Sequence, residues 1–116
     1  MTKKNKKTED NPPYILPGND KELKRFVSNY KVDMTQQVIS SIEFAIANNL
    51  PIIEVFQFKG SSFVVTISSP EFDSNLENIY KYYLETEQYE LCEQVVKLLK
   101  KLKLQRHEKK KKISTN

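Results

Sequence analysis

The chain has one cysteine, one histidine, two glycines and no tryptophan among its 116 residues, and each shortage removes a class of chemistry. Cys92 alone cannot form an intrachain disulfide, and small secreted domains usually depend on such bridges, so a reducing, cytoplasmic setting is expected. One Cys and one His cannot assemble a Cys/His zinc set. With only Gly18 and Gly60 there is no glycine-rich phosphate loop or dinucleotide turn, and a many-turned all-β fold is disfavoured. No apolar run approaches the roughly 18–20 residues that span a bilayer, so no membrane partner is expected. The N-terminal lysines are not followed by the apolar stretch of a secretory signal.

The few chemically versatile residues stand in poor positions for catalysis. His107 lies in a run of lysines, where nothing would hold it as a general base. Cys92 falls inside an apolar helical face, with Glu90 and Glu93 close by to disfavour the thiolate. Glu85, Glu87, Glu90 and Glu93 crowd one stretch but lack the spacing of a calcium loop. The expectation is a chain with no catalytic residue, no metal site and no cofactor.

What the chain does have is charge sorted by position. Residues 1–13 hold Lys3, Lys4, Lys6 and Lys7 against Glu9 and Asp10, a net of +2. Residues 100–116 hold seven lysines and Arg106 against Glu108, a net of +7. Residues 14–99 carry a net of −5, so the overall +4 sums an acidic body and two cationic ends. The ends are too polar to offset the entropy of ordering, which predicts disordered tails over 1–13 and 105–116 around one domain at 14–104. High Lys, Asn and Ile usage suggests an AT-rich genome, as in small accessory proteins of phages and bacteria.

Within the body, Leu23, Phe26, Val27 and Tyr30 recur at helical spacing from Asp20, with Asn19 or Asp20 as the cap. The alternation of Phe26, Ser28, Tyr30 and Val32 offers a strand as the competing reading. Asp33 and Gln36 read as the start of a second helix whose stripe is Met34, Val38, Ile39, Ile42, Ala45 and Ile46. Phe44 falls outside that stripe, either covered by another element or exposed for a partner. Residues 52–68 read as a β-hairpin on a two-residue Gly60-Ser61 turn. That turn places Phe56, Phe58, Phe63, Val65 and Ile67 on a core face, and Ile53, Val55 and Val64 on the outer one. Tyr14–Leu16 is an apolar patch that can add a strand to the hairpin. Ser69-Pro70 opens a third helix along Phe72, Leu76, Ile79, Tyr80 and Tyr83. A fourth begins near Glu87 and runs to about Leu104. The expected architecture is a small single α+β domain, a β-hairpin packed on about four helices in the order α-α-β-β-α-α.

The stretch Leu76…Tyr83-Leu84-x-x-Glu87-x-Tyr89-Glu90-x-Cys92-x-x-Val95-x-x-Leu98 resembles the UVR motif over residues 76–102. That motif is a short helical hairpin whose second helix reads E-x-(F/Y)-E-x-A-A-x-x-R-D-x-I. Glu87, Tyr89 and Glu90 match it, Cys92 stands at a small-residue position, and Val96-Lys97 replaces the Arg-Asp pair. The resemblance implies a protein-interaction hairpin.

Two partner classes follow. The first is a protein partner, bound through the acidic corner (Glu85, Glu87, Glu90, Glu93) or through Phe44, Ile53, Val55 and Val64. The second is nucleic acid, whose phosphates Lys103, Arg106, Lys109, Lys110, Lys111 and Lys112 would contact without sequence preference. Unpaired strand edges and Phe44 add a homodimer to the expectations.

Overall fold

Pro13 and Pro17 bracket the first strand of the computed structural model, which describes residues 11–114, with side chains to Glu108. Strand β1 (Tyr14–Leu16) is followed by helices α1 (Asp20–Asn29) and α2 (Lys31–Ala47), strands β2 (Ile52–Phe58) and β3 (Val64–Ser68), and helices α3 (Phe72–Glu85) and α4 (Tyr89–Ser114). A 3-10 turn, Ser69–Glu71, precedes α3. Four helices and a three-stranded sheet make a small α+β fold. Its internal contacts gather in two compact units, residues 1–69 and 70–116.

In the first unit the sheet order is β1-β2-β3, with β1 parallel and β3 antiparallel to the central β2. The apolar patch Tyr14–Leu16 thus adds a strand, and the element order begins with β rather than α. An aromatic chain explains the docking of β1. Tyr14 pairs with Phe56 in register, its ring 6.4 Å from that of Phe56 and 6.0 Å from that of Phe26 on α1. Such pairs contribute about 0.5–1.5 kcal/mol beyond the area they bury. Gly18 follows closely, and a Cβ there would collide with the backbone carbonyl of Lys59, so the close approach of these segments requires glycine.

Helix α1 is capped as its sequence suggests, the Asn19 side chain accepting from the Glu22 N–H at 2.9 Å. The helical spacing, and not the alternation through Phe26 to Val32, prevails. Helix α2 starts two residues before the expected Asp33 cap. Tyr30 both ends α1 and precedes α2, and Asp33 sits in the first turn, where its charge still suits the helix dipole. The α2 stripe is confirmed by burial of Ile39, Ile42, Ala45 and Ile46, joined by Ser41. This helix packs against β2.

The hairpin differs from expectation in its turn and its register. The Ser61 N–H donates to the Phe58 carbonyl at 3.1 Å, so Lys59 and Gly60 are the central pair and Gly60, at φ 75°, is the second of them. Positive φ at that position is what glycine supplies. Near the turn, Phe56 faces Val65 and Gln57 faces Val64. Further along, Glu54 faces Thr66 and Ile53 faces Ile67, because a bulge at Val55 inserts one residue into β2. The bulge resets the alternation and turns Ile53 and Val55 to the core, where both are buried with Phe56 and Ile67.

In the second unit, Phe72, Leu76, Ile79 and Tyr83 of α3 and Cys92, Val95, Leu98 and Leu102 of α4 are buried on the facing stripes of a helical hairpin. Helix α3 begins after the 3-10 turn rather than at a Ser69 cap, and Ser74 Oγ donates to the Glu71 carbonyl at 3.2 Å. Helix α4 runs to Ser114, ten residues past the expected end at Leu104. Residues 115–116 and the N-terminal residues 1–10 lie outside the described residues. Gln, Arg, Lys and Glu are strong helix formers, and cations are favoured at a helix C-terminus. Arg106 adds a tether through its ion pair with Asp73, in the first turn of α3.

Candidate functional site

The corner between α3 and α4 is built by backbone hydrogen bonds. The Glu87 N–H donates to the Leu84 carbonyl at 3.2 Å and the Gln88 N–H to the Tyr83 carbonyl at 2.8 Å. This is a Schellman closure, which needs a left-handed residue just past the helix end, and Glu87 fills it at φ 59°. Thr86 Oγ1 caps a further carbonyl, that of Tyr82, at 2.9 Å. Helix α4 then starts at once, the Gln88 carbonyl accepting from the Leu91 and Cys92 N–H groups at 3.1 Å. The turn is fixed by its own backbone, so the backbone positions from which its side chains extend are defined.

Glu85, Glu87, Glu90 and Glu93 are all exposed at this corner. Among them stand two apolar side chains that a core would ordinarily claim: Leu84 is 45% and Tyr89 62% exposed. Leu84 was read from the sequence only as part of a motif, and Tyr89 as part of the apolar face of the last helix. The signal that separates Tyr89 was present: at about 100° per residue it lies roughly 120° around the helix from Val95. Val95 is wholly buried, and Tyr89 is not.

The second expected protein-binding group does not assemble. Ile53 and Val55 are buried in the core by the bulge and are withdrawn as surface residues, while Phe44 and Val64 are half-buried. On α4, the candidate phosphate contacts divide. Lys103 is exposed, as are Lys97, Lys100 and Lys101, whereas Arg106 is half-buried and already paired with Asp73. Arg106 is thus better described as holding α4 to the start of α3. Lys109, Lys110, Lys111 and Lys112 lie on the last turns of α4, beyond the described side chains.

Cys92 is buried, its Sγ 3.9 Å from the Tyr80 carbonyl, as befits a small apolar group. Among the described residues no group of three or more His, Cys, Asp and Glu side chains is placed to hold a metal ion. Nor is any described helix long and apolar enough to cross a membrane. No protein-family model, curated protein or solved structure matches the chain.

Proposed function

We propose that this protein is a non-catalytic interaction protein that binds a protein partner through the acidic corner of its helical hairpin. The observation that carries the reading is the exposure of Leu84 and Tyr89 in the same stretch as exposed Glu85, Glu87, Glu90 and Glu93, on a turn fixed by its own hydrogen bonds. Apolar anchors give affinity when a partner desolvates them, and neighbouring acidic charge selects the partner and speeds its approach. The matching ligand is an amphipathic segment with an apolar centre and Lys or Arg at its rim. The resemblance of residues 76–102 to UVR-type hairpins supports the same reading.

A capture experiment from lysate of the source cells tests this, comparing the full chain with a Leu84→Ser/Tyr89→Ser variant. Both substitutions are at exposed positions, so circular dichroism should be unchanged. A basic protein retained by the wild type and lost with the variant, and eluted by raised salt, is the expected result. Identical sets of captured proteins would remove the corner from consideration.

The lysine-rich end supports a second reading, sequence-independent contact with nucleic-acid phosphates. Its observation is that α4 stays helical to Ser114, carrying exposed Lys97, Lys100, Lys101 and Lys103 and then Lys109 to Lys112 along one element. Contacts of this kind weaken steeply with salt.

A further inference from the structure

Strand β3 stands at one edge of the sheet, with β2 on one side and, among the described residues, no strand on the other. Its backbone shows which groups are unspent. The Phe58 N–H donates to the Phe63 carbonyl at 3.4 Å, and the Ser69 N–H to the Pro51 carbonyl at 2.8 Å. Backbone groups point alternately to the two sides of a strand, so Phe63, Val65 and Ile67 face β2, and the N–H and C=O of Val64 and Thr66 point outward.

Edges of this sort are normally blunted by a charge, a proline or a bulge. This one is not. Residues 61–69 read Ser-Ser-Phe-Val-Val-Thr-Ile-Ser-Ser, with no charged residue, no proline and no glycine. The bulge is on β2, which leaves the alternation of β3 unbroken. The apolar face also runs out to this edge: Ile67 is buried, Val65 is 39% exposed and Phe63 is 77% exposed, and all three occupy the same face.

We propose that β3 pairs with β3 of a second copy of this chain, antiparallel about a two-fold axis at Val65, so that two sheets become one. In that register Val64 and Thr66 of each copy exchange hydrogen bonds with Thr66 and Val64 of the other. Val65 faces its own counterpart in a non-hydrogen-bonded pair, where Cα atoms approach to about 4.5 Å. Phe63 comes opposite Ile67 of the second copy, and the exposed end of each apolar face is covered by the other. The charge pattern selects this occupant. A two-fold sets each strand against itself, and a strand without charge meets no like charge there, whereas a charged peptide would find nothing on β3 to answer it. The proposal uses only the unit formed by residues 1–69 and is independent of the corner on the helical hairpin.

Sedimentation velocity of the full chain over a concentration series tests it. A reversible monomer–dimer equilibrium is expected. Val65→Lys should weaken the dimer by about tenfold or more, because the axis sets two ammonium groups side by side. Val65→Glu should do the same, and an equimolar mixture of the two variants should regain the dimer. That rescue is specific to the register with Val65 on its counterpart. Should a charged variant lose its circular dichroism signal, Val65→Cys serves instead: the paired Cα spacing falls within the roughly 4.4–6.8 Å range of disulfides, so oxidation of the folded chain should yield a covalent dimer. A chain that stays monomeric at every concentration overturns the proposal, including one that captures an extended peptide instead. So does a dimer indifferent to Val65→Lys, or Val65→Cys that fails to cross-link.

Discussion

Among the described residues, two other than glycine adopt left-handed backbone, Asn49 at φ 54° and Glu87 at φ 59°, and each closes a helix. The Leu50 N–H reaches the Ala45 carbonyl at 2.9 Å in the first case, as the Gln88 N–H reaches that of Tyr83 in the second. The two differ in chemistry, because Asn tolerates this conformation and Glu does not. Replacing Glu87 by Gly relieves the strain of about 1–2 kcal/mol, offset in part by the greater freedom of glycine in the unfolded chain. A net gain of about 0.5–1 kcal/mol in urea denaturation is the expected outcome. Glu87→Ala serves as the control, since alanine keeps the strain and removes the charge. If alanine stabilised as much as glycine, repulsion within the acidic corner, and not backbone strain, would be the cause.

At the scale of elements, the bulge in β2 decides what the sheet presents. Val55 is wholly buried, yet the bulge takes it out of the β2–β3 register, and its carbonyl accepts a hydrogen bond from Gln37 Nε2 on α2 at 3.2 Å. Losing that donor removes one hydrogen bond, at a cost of about 0.5–1.5 kcal/mol. Gln37→Leu should therefore lower the unfolding free energy by that amount with an unchanged urea slope, and an unaltered midpoint would show that the bond adds nothing to stability. The bulge was partly legible. In Ile52–Phe58 the apolar residues change parity between Val55 and Phe56, and a strand can bury both sets only by inserting a residue there. A strictly alternating reading keeps one phase throughout, which is why Ile53 and Val55 were expected outside. Helix α1 was legible because its cap residue and helical spacing agree, and both act within a few residues, whereas α3 was legible by its spacing alone. The parallel pairing of β1 was legible only as an option, because Tyr14 meets Phe56 across more than forty residues of chain. The corner was legible in its glutamates and, through its angle from Val95, in Tyr89, but not in Leu84, whose exposure depends on which part of the helix the hairpin covers.

On the scale of the whole molecule, the sorting of charge resolves along one helix. Helix α4 covers 26 residues, about 39 Å at 1.5 Å per residue. Glu90 and Glu93 sit near its start, and Lys103 lies ten residues beyond Glu93, about 15 Å away along the axis. Since the Debye length at physiological salt is about 8 Å, the acidic corner does not cancel the lysines from Lys103 onward, whereas Lys97, one turn past Glu93, lies within its reach. The two ends can therefore serve different partners, and they can be separated by truncation. Leu102 is buried and Arg106 is paired with Asp73, so a chain ending at Glu108 keeps both of these anchors of α4. Its denaturation midpoint should match that of the full chain to within about 0.5 kcal/mol. If the lysines contact phosphate, removing Lys109 to Lys112 should reduce the slope of log K against log salt for duplex DNA by up to about 3–4, since each neutralised phosphate contributes close to 0.9. An unchanged slope with an unchanged midpoint would leave those lysines no role in phosphate contact, and would leave the acidic corner as the surface on which recognition rests.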